Sequence, residues 1–359
     1  MPQKIPLDTW HRSHGAKMVE FGGFEMPVSY RGVLAEHETV RERCGLFDIS
    51  HMGEFIVEGE NAEAFLQKLT TNDLSRLDDG QAQYSLLLYP EAGVVDDIIV
   101  YRLSAKRFML CVNASNIQKD FNWLQSHLEP GVVLQDQSAA TGLIALQGPH
   151  SFALLEKLDF DLKRLKRFEF CETQLASCPL WISRTGYTGE EGCEIFLPNA
   201  YLEKIWKALL EAGAKEGLEP IGLGARDTLR LEMGYPLYGH EISESINPFE
   251  AGLAWVVKMN KPDFIGKAAL QKIKQEGIKR RLIGLVMEDQ GIPRQAQNLI
   301  SEGRPVGEVL SGTFSPTLKI GIATALVESK IVEGKTEISV DIRGKIKKAK
   351  ITSLPFVKK

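Results

Sequence analysis

Two adjacent aspartates interrupt a run of apolar residues. Asp96 and Asp97 lie within the segment Val94 to Tyr101, whose other residues are valine, isoleucine and tyrosine. Such a run is typical of a strand buried on both faces, where an unpaired carboxylate costs several kcal/mol. Side chains alternate along a strand, so at least one acid must be neutralised, paired or directed into a cavity that needs it. The acids could instead lie in a turn before the strand, but residues 90–93 already supply a turn signal, which favours the functional interpretation.

A second unusual segment, residues 183–195, contains three glycines at three-residue intervals. Glycine frees the backbone for close approach, as binding of a phosphate or a ring often requires. No Lys-Ser/Thr pair ends the segment, so it is not a P-loop. Tyr187 could stack on a flat ring and Glu194 could accept from ring N–H groups, which is the kind of surface that a pterin offers. A tight hairpin also explains the glycines, and the glycine spacing alone favours that interpretation.

The segment Gly222–Asp227 superficially resembles a dinucleotide-binding loop. It lacks the third glycine and a clear βαβ frame, and a helical pattern follows at once, so we reject that interpretation. The segment instead predicts a helix start that places Arg226 and Arg230 one turn apart on one face. Arg226 could clamp a carboxylate of a ligand, or it could pair with Asp227 or Glu232. Spacing does not decide between these roles.

The segment Asp48 to Glu54 contains an aspartate, a serine and a histidine within four positions. Triads are recognised by geometry, and residues this close in sequence cannot readily form one. His51 is therefore predicted to be a satisfied structural histidine near a pocket wall. A metal held by both Asp96 and Asp97 is not expected, because adjacent strand residues point to opposite faces.

Composition indicates an ordinary globular protein. The 359 residues suffice for two or three domains at about 150 residues each. No apolar stretch approaches the ~20 residues that cross a bilayer, and the first residues have neither secretory nor transit character. The five cysteines form no CxxC and no zinc-ligand spacing, so free thiols in a reducing cytoplasm are expected.

Charge is unevenly distributed along the chain. The net charge of −4 argues against nucleic acid as a main partner. From Glu276 to Lys359, however, 15 Lys/Arg residues stand against 9 Asp/Glu residues. A solvated strand face explains any single lysine there, and a docking surface for an acidic partner is the sharper hypothesis.

Strand signals dominate the middle of the sequence and short helices interrupt them. Residues 84–88, 94–103 and 108–112 predict an antiparallel meander. Ser115 and Gln118 predict a capping box before a helix, Asn199 predicts the start of another, and Asn61 to Leu69 predicts a third. After the stretch 258–279 only short, glycine-punctuated β segments follow, at 282–286, 306–310, 322–327 and 337–342. This shift predicts a domain boundary near residue 276 and a small all-β module.

In this order, several segments resemble one family over essentially the whole chain: the aminomethyltransferase of the glycine cleavage system, its T-protein. The matching segments are Pro6-Leu7, 14–19, Met26-Pro27 with Tyr30, 45–54, 145–149, 184–194, 224–232, 247–250, Trp255 and 311–318.

The resemblance implies an α+β fold of three domains in a cloverleaf around a central folate channel, mainly antiparallel sheets with flanking helices. Residues 1–275 would form the folate-binding region of two interleaved lobes, and residues 276–359 a C-terminal β-barrel. Members transfer an aminomethyl group from the lipoyl arm of the H-protein to tetrahydrofolate and release ammonia; no metal, nucleic acid or membrane is involved. Carried onto this sequence, Asp97 is the catalytic carboxylate beside the folate. The residues that contact folate are Tyr84, Tyr187, Glu194 and Arg226, with Asn113 and Met52 as wall residues.

The sequence departs from the family in three places. Phe24 stands where a tryptophan is common, and Ala92-Gly93 replaces the commoner Gly-Gly, so the turn before the acids is expected to differ slightly. A longer family tail that reaches the folate is not expected here.

Three groups of proteins with related modules are rivals. The first group is the folate-dependent demethylases. The second is the dimethylglycine and sarcosine dehydrogenases, which carry a flavin domain for which this chain is expected to have no room. The third is a folate-binding helper of iron–sulfur cluster maintenance. The Lys-Gly-Cys-Tyr-type motif of that helper is absent from the sequence.

Overall fold

The computed structural model describes residues 1–334 and 337–359. Within this part the chain forms two compact units, each assembled from separate stretches of sequence. The first unit comprises Met1–Gln67, Asp73–Tyr84 and Ile98–Asp227, and the second comprises Lys68–Asn72, Ser85–Asp97 and Thr228–Lys359. Both units contain helices and strands, which confirms the mixed α+β class.

Helices and strands are numbered here in chain order. The strands are β1 (Gln3–Lys4), β2 (Lys17–Phe21), β3 (Phe24–Ser29), β4 (Cys44–Asp48), β5 (Gly53–Glu58), β6 (Ala82–Leu88), β7 (Val94–Ser104), β8 (Arg107–Val112), β9 (Val133–Asp136), β10 (Thr141–Gln147), β11 (Phe170–Leu175), β12 (Cys178–Ser183), β13 (Gly192–Pro198), β14 (Leu218–Pro220), β15 (Arg280–Met287), β16 (Asn298–Ser301), β17 (Arg304–Ser315), β18 (Ile320–Glu328), β19 (Ile338–Ile342) and β20 (Lys345–Thr352). The helices are α1 (Asp8–Ser13), α2 (Val33–Glu42), α3 (Ala62–Leu69), α4 (Ile117–Ser126), α5 (Ser151–Glu156), α6 (Asn199–Gly213), α7 (Leu223–Glu232), α8 (Lys267–Glu276) and α9 (Ser329–Glu333).

A six-stranded sheet in the order β11-β12-β13-β10-β4-β14 forms the core of the first unit. Strand β10 pairs antiparallel with β13 on one side and with β4 on the other. Helix α6 begins at Asn199 as predicted, and its inward residues recur at helical spacing. Trp206 of this helix is fully buried and its ring lies 5.2 Å from that of Trp10. Leu202, Ile205 and Leu209 of α6 share one core cluster with Leu146 and Ile195 of the sheet, so the helix packs onto it.

The predicted meander is present in a five-stranded sheet of order β6-β7-β8-β5-β9. Strand β7 starts at Val94 and contains both Asp96 and Asp97, so the alternative that placed the acids in a turn is wrong. Helix α4 contacts this sheet through Phe121, whose ring lies 5.5 Å from that of Phe55.

The predicted start of α4 needs correction. The helix begins at Ile117, and its N-cap residue is Asn116, which makes no side-chain capping hydrogen bond. Ser115 lies in the 3-10 turn Ala114–Asn116 that precedes the helix, and the Gln118 amide donates to Asn122 instead. The capping box is therefore not formed, because the tight turn already orders the backbone before the helix.

Glu54 is a buried carboxyl group at the second residue of β5. It is 1% exposed, and neither of its oxygens has a hydrogen-bond partner among the described residues. Burial, and secondarily the nearby Asp136 carboxylate, raise the pKa of Glu54 well above its ordinary value. Glu54 therefore keeps its proton at pH values where an exposed glutamate is ionised.

We expect the substitution Glu54→Gln to stabilise the protein at pH 8 but not at pH 4. A raised native pKa means that the native state holds a proton which the unfolded chain releases, so wild-type stability falls as pH rises above about 4.3, the ordinary glutamate pKa. The uncharged amide removes this loss, and the gain in unfolding free energy at pH 8 should be at least about 1 kcal/mol. Urea unfolding at the two pH values measures it. Glu58→Gln, on the same strand but paired with Arg107, is the control and should show no such pH-dependent gain.

The second unit contains a closed six-stranded barrel in the order β15-β18-β17-β16-β19-β20. Strand β15 closes it by pairing antiparallel with β20. Its interior is filled by small and branched apolar side chains, among them Leu285, Val309 and Val340. The predicted C-terminal all-β module is thus confirmed as a barrel, although residues 335 and 336, near one predicted segment, lie outside the described residues.

Two buried charges fix α7 to the barrel within the second unit. Arg230 forms an ion pair with Glu241 at 3.0 Å and donates to the hydroxyl of Ser311 at 2.9 Å. The carboxylate of Glu232 accepts from the hydroxyls of Ser315 at 2.5 Å and Thr317 at 2.8 Å. These hydrogen bonds explain why polar residues are conspicuous around the barrel strand β17: they satisfy charges that the helix brings with it.

Glu36 of α2 ties two distant segments of the first unit together. Its fully buried carboxylate accepts from the backbone N–H groups of Tyr30 at 2.7 Å, Arg31 at 2.9 Å, Gly32 at 3.0 Å and Gly222 at 2.8 Å. Gly222 directly precedes α7, so this carboxylate sets where that helix begins.

We expect Glu36→Gln to lower the free energy of unfolding by about 2–4 kcal/mol, because an amide leaves at least one buried N–H facing an NH₂ group. Thermal and urea unfolding measure the loss. Glu42→Gln, at the exposed end of the same helix, is the matched control and should change stability by less than about 0.5 kcal/mol. A Glu36→Gln variant as stable as wild type would contradict the role given to this carboxylate.

No helix in the described part of the chain is long and apolar enough to span a membrane. All five cysteines are free thiols, four of them buried, which agrees with the expected absence of a disulfide framework.

Candidate functional site

The loop between β12 and β13 is built around one buried side chain. The two strands pair antiparallel as a hairpin, but residues 184–191 connect them, so it is not the tight hairpin that the sequence left open. Gln147, the last residue of β10, donates from Nε2 to the backbone oxygens of Thr185 at 3.2 Å and Cys193 at 3.3 Å. Its Oε1 accepts from the hydroxyl of Thr188 at 2.8 Å. A single amide therefore bonds the loop at two residues and strand β13 at a third.

The glycines of this loop are required by that packing. A Cβ atom on Gly186 would overlap the amide of Gln147, and one on Gly192 would overlap the backbone oxygen of Leu146. Gly189 has a φ of 76°, a left-handed conformation that favours glycine. The glycine pattern is thus explained without a bound phosphate or ring.

An arginine holds the tip of the loop from outside. Arg41 of α2 donates to the backbone oxygen of Thr188 at 2.7 Å and to the Glu190 carboxylate at 2.9 Å. Gln147 and Arg41 both bond the loop that carries Tyr187, so its position is fixed by two side chains from other elements.

Three residues predicted from the sequence come together at this loop. The guanidinium carbon of Arg226 lies 4.7 Å from the centroid of the Tyr187 ring, a cation–π arrangement. Glu194 accepts from the hydroxyl of Thr185 at 2.5 Å. Arg226 and Glu194 influence each other's pKa, yet no ion pair joins them in the part of the chain that the structure describes. The three side chains thus offer an aromatic face, an acceptor and a cationic donor in one place.

Both charged groups are shifted toward their neutral forms. Burial raises the pKa of Glu194, while the Thr185 hydrogen bond and the Arg226 charge oppose that shift. Burial also lowers the pKa of Arg226, against the charge of Glu194. Nη1 of Arg226 is buried without a hydrogen-bond partner among the described residues. A polar ligand that bonded both groups would therefore relieve desolvation on each.

His51 lies beside this group and differs from its prediction. It is 2% exposed, and its Nδ1 has no hydrogen-bond partner in the described residues, so it is not a satisfied structural histidine. Burial and the Arg226 charge lower the pKa of His51 to about 3, with Asp48 opposing. The exclusion of a triad is confirmed, because the Asp48 carboxylate bonds Nε2 of His11 at 2.9 Å instead.

The other predicted contact residues of the first unit are partly buried. Met52 follows His51 in the link between β4 and β5, and Tyr84 lies in β6. Asn113 immediately precedes the 3-10 turn Ala114–Asn116. Each has the partial exposure expected of a side chain in a pocket wall.

Asp97 belongs to the second unit and is the fourth residue of β7. Asp96 is fully buried, whereas Asp97 is partly exposed, as expected for side chains on opposite faces of one strand. The preceding turn is tight: the N–H of Tyr89 donates to the backbone oxygen of Gly93 at 2.9 Å, and a Cβ on Gly93 would overlap the backbone of Glu244. Ala92 adopts a left-handed φ of 73°, so alanine occupies a conformation that glycine takes more easily. The described residues contain no cluster of His, Cys, Asp or Glu able to hold a metal ion.

Comparison with known proteins assigns the chain to a family. Residues 7–261 match the model of the GCVT N-terminal domain, and residues 280–358 match that of the glycine cleavage T-protein C-terminal barrel domain. The chain is 50% identical over 360 residues to an aminomethyltransferase of Chlorobaculum tepidum, covering 99% of this chain and 98% of that protein. It is also 50% identical over 357 residues to an aminomethyltransferase of Chloroherpeton thalassium.

A crystal structure of the glycine cleavage system aminomethyltransferase T from Bartonella henselae superposes with a TM-score of 0.93 at 37% identity, over 99% of this chain and 98% of that one. The chain belongs to the glycine cleavage T-protein family. It is an enzyme of the aminomethyltransferase class, as the resemblance in the sequence indicated.

Sequence reasoning missed the part that Gln147 plays in positioning the loop, and it misjudged the hydrogen bonding of His51. Gln147 was noted only as part of a family segment, since nothing local shows that its amide reaches a loop 38 residues away. His51 was interpreted as a satisfied structural histidine near a pocket wall, whereas its Nδ1 has no hydrogen-bond partner among the described residues. A buried polar side chain at the end of a strand was the available signal for Gln147.

Proposed function

We propose that this aminomethyltransferase transfers the aminomethyl carbon from the lipoyl arm of an H-protein to tetrahydrofolate. The observation that carries the proposal is the family match over nearly the entire chain, in both the N-terminal and the barrel domains. The site geometry supports it, because the groups around Tyr187 suit a flat, polar and acidic ligand.

The chemistry forms two bonds and breaks two. The carbon, initially bound to the lipoyl sulfur and to an amine, becomes bonded to two folate nitrogens. The C–S and C–N bonds break, and the two protons lost by the folate nitrogens leave on ammonia and on the dihydrolipoyl thiol. Positive charge develops on the carbon as the amine leaves, so a nearby carboxylate would stabilise the transition state.

We assign that carboxylate to Asp97. It is partly exposed on a strand whose opposite face carries the buried Asp96, so it is the more accessible acid of the pair. Held in a sheltered site, it would orient the reacting amine and favour the iminium-like carbon more strongly than in water.

We assign folate binding to the residues around the β12–β13 loop. Glu194 would accept from N–H donors of the pterin, and Arg226 would bind acidic groups of the ligand through its unpaired Nη1. Tyr187 would supply the flat contact surface. Tyr84, Asn113 and Met52 are proposed as wall residues.

The remaining proposals concern organisation and partners. A lipoylated H-protein is the proposed partner, in the cytoplasm, with tetrahydrofolate as co-substrate. The division into a folate-binding region, 1–275, and a barrel domain, 276–359, also stays a proposal.

Ammonia release tests this function directly. Aminomethylated H-protein is mixed with the enzyme with and without tetrahydrofolate, and ammonia and methylenetetrahydrofolate are quantified. We expect folate to accelerate release strongly and to yield one methylenetetrahydrofolate per ammonia. Release that folate does not stimulate would favour a demethylase or a folate-binding helper instead.

A further inference from the structure

His51 is a buried polar side chain near the candidate site, and its Nδ1 lacks a hydrogen-bond partner among the described residues. It is 2% exposed. The centroid of its ring lies 5.8 Å from that of Phe21 and 6.5 Å from that of Phe24, in T-shaped arrangements. The aspartate three positions earlier is engaged elsewhere, by Nε2 of His11 and by the backbone N–H of Ser50.

A buried nitrogen without a partner is unusual in a native protein, since its desolvation is not compensated. An entirely structural histidine would be bonded at Nδ1 or replaced by an apolar residue. Arg226 lies close enough to disfavour the protonated imidazole, and its own Nη1 is also unbonded. Two unpaired polar groups from different elements therefore occur together, on the β4–β5 link and on α7.

We propose that His51 is a ligand-binding residue, whose neutral imidazole hydrogen-bonds an uncharged polar group of the reduced folate beside Arg226. This inference rests on the proposed function and adds a contact that the sequence did not assign.

His51 and Arg226 suit different groups of the ligand. A neutral imidazole carries one donor and one acceptor, which suits an amide or ring nitrogen or oxygen. A folate carboxylate would instead go to the guanidinium, which is charged and has a free donor. The imidazole is 2% exposed, so the hydrogen bond would form in a sheltered environment.

The test compares His51→Leu and His51→Gln with His150→Leu, an exposed histidine, as control. Dissociation constants for tetrahydrofolate are measured anaerobically by calorimetry, and Tm by thermal unfolding. We expect His51→Leu to weaken binding about 5- to 50-fold, the effect of losing one buried hydrogen bond. Its Tm should be unchanged or higher, because an unsatisfied polar group is removed. His51→Gln, which keeps a donor and an acceptor, should bind within about threefold of wild type.

A second measurement does not depend on any variant. In wild-type enzyme labelled with ¹⁵N-histidine, tetrahydrofolate should shift the ring nitrogens of His51. Binding by His51→Leu equal to wild type, or no shift of those nitrogens, overturns the inference while leaving the proposed function intact. A lowered Tm together with weak binding in His51→Leu also overturns it, since that is the result for a structural histidine. Wild-type enzyme that fails to bind tetrahydrofolate overturns the proposed function and this inference with it.

Discussion

Replacing Asp97 with asparagine should lower turnover by roughly 10²- to 10³-fold while changing the dissociation constant of tetrahydrofolate by less than about threefold. The amide keeps the shape of the carboxylate and part of its hydrogen bonding, but it carries no negative charge. Charge on the reacting carbon develops only in the transition state, so the loss should appear in kcat and not in ligand binding. Single-turnover formation of methylenetetrahydrofolate, alongside calorimetric titration of the folate, separates the two quantities.

The control for this variant is Asp78→Asn, which changes an exposed aspartate and should leave both quantities unchanged. Tm values of all variants check that they are folded. Full turnover in Asp97→Asn would remove this residue from the mechanism. A loss confined to folate affinity would make it a binding residue only.

Replacing Arg226 with glutamine should weaken tetrahydrofolate binding about 30-fold or more, the cost of truncating a buried charged partner. The guanidinium has an unbonded Nη1 and lies over the Tyr187 ring, so the substitution removes both a donor and the group that orders the ring. Arg226→Lys should fall between wild type and Arg226→Gln, because the ammonium keeps the charge but not the planar fork.

The same substitution should change the pH dependence of binding. Burial raises the pKa of Glu194, and the Arg226 charge opposes this rise, so removing the charge raises the pKa of Glu194 further. If the ionised carboxylate accepts from the pterin, binding is lost as pH falls through that pKa, and the loss in Arg226→Gln should begin at a higher pH than in wild type. Titrations from pH 5 to pH 8 measure the difference.

Arg76→Gln, which removes an exposed arginine, is the matched surface control and should follow the wild-type curve. Identical pH profiles for wild type and Arg226→Gln would contradict the coupling between Arg226 and Glu194. Unchanged affinity in Arg226→Gln would remove the guanidinium from the site.

Several features of the site follow from local sequence. The strand that contains Asp96 and Asp97 was predicted because an apolar run of that length and composition has few alternatives. Helix α6 and the barrel strands followed from periodicity and from glycine-punctuated β segments. The candidate residues Tyr187, Glu194 and Arg226 were found by side-chain chemistry and by family resemblance, and the structure brings them together.

Two predictions about single side chains were wrong. Ser115 was assigned to a capping box by its spacing from Gln118, but a 3-10 turn moves the helix start to Ile117. His51 was predicted to be a satisfied structural histidine, yet its Nδ1 is buried without a hydrogen-bond partner among the described residues. Proximity along the chain does not determine which of several donors reaches a buried acceptor.

By itself, then, the sequence determined where most strands and helices form, which family the chain resembles and which side chains have suitable chemistry. Each of these depends on residues within a few positions or on the order of motifs along the chain. Only the tertiary structure decided that Gln147 holds the loop of Tyr187, that Glu36 fixes Gly222, and that the loop glycines make room for an amide. The physical reason is that hydrogen bonds between buried polar groups are set by the packing of elements far apart in the chain.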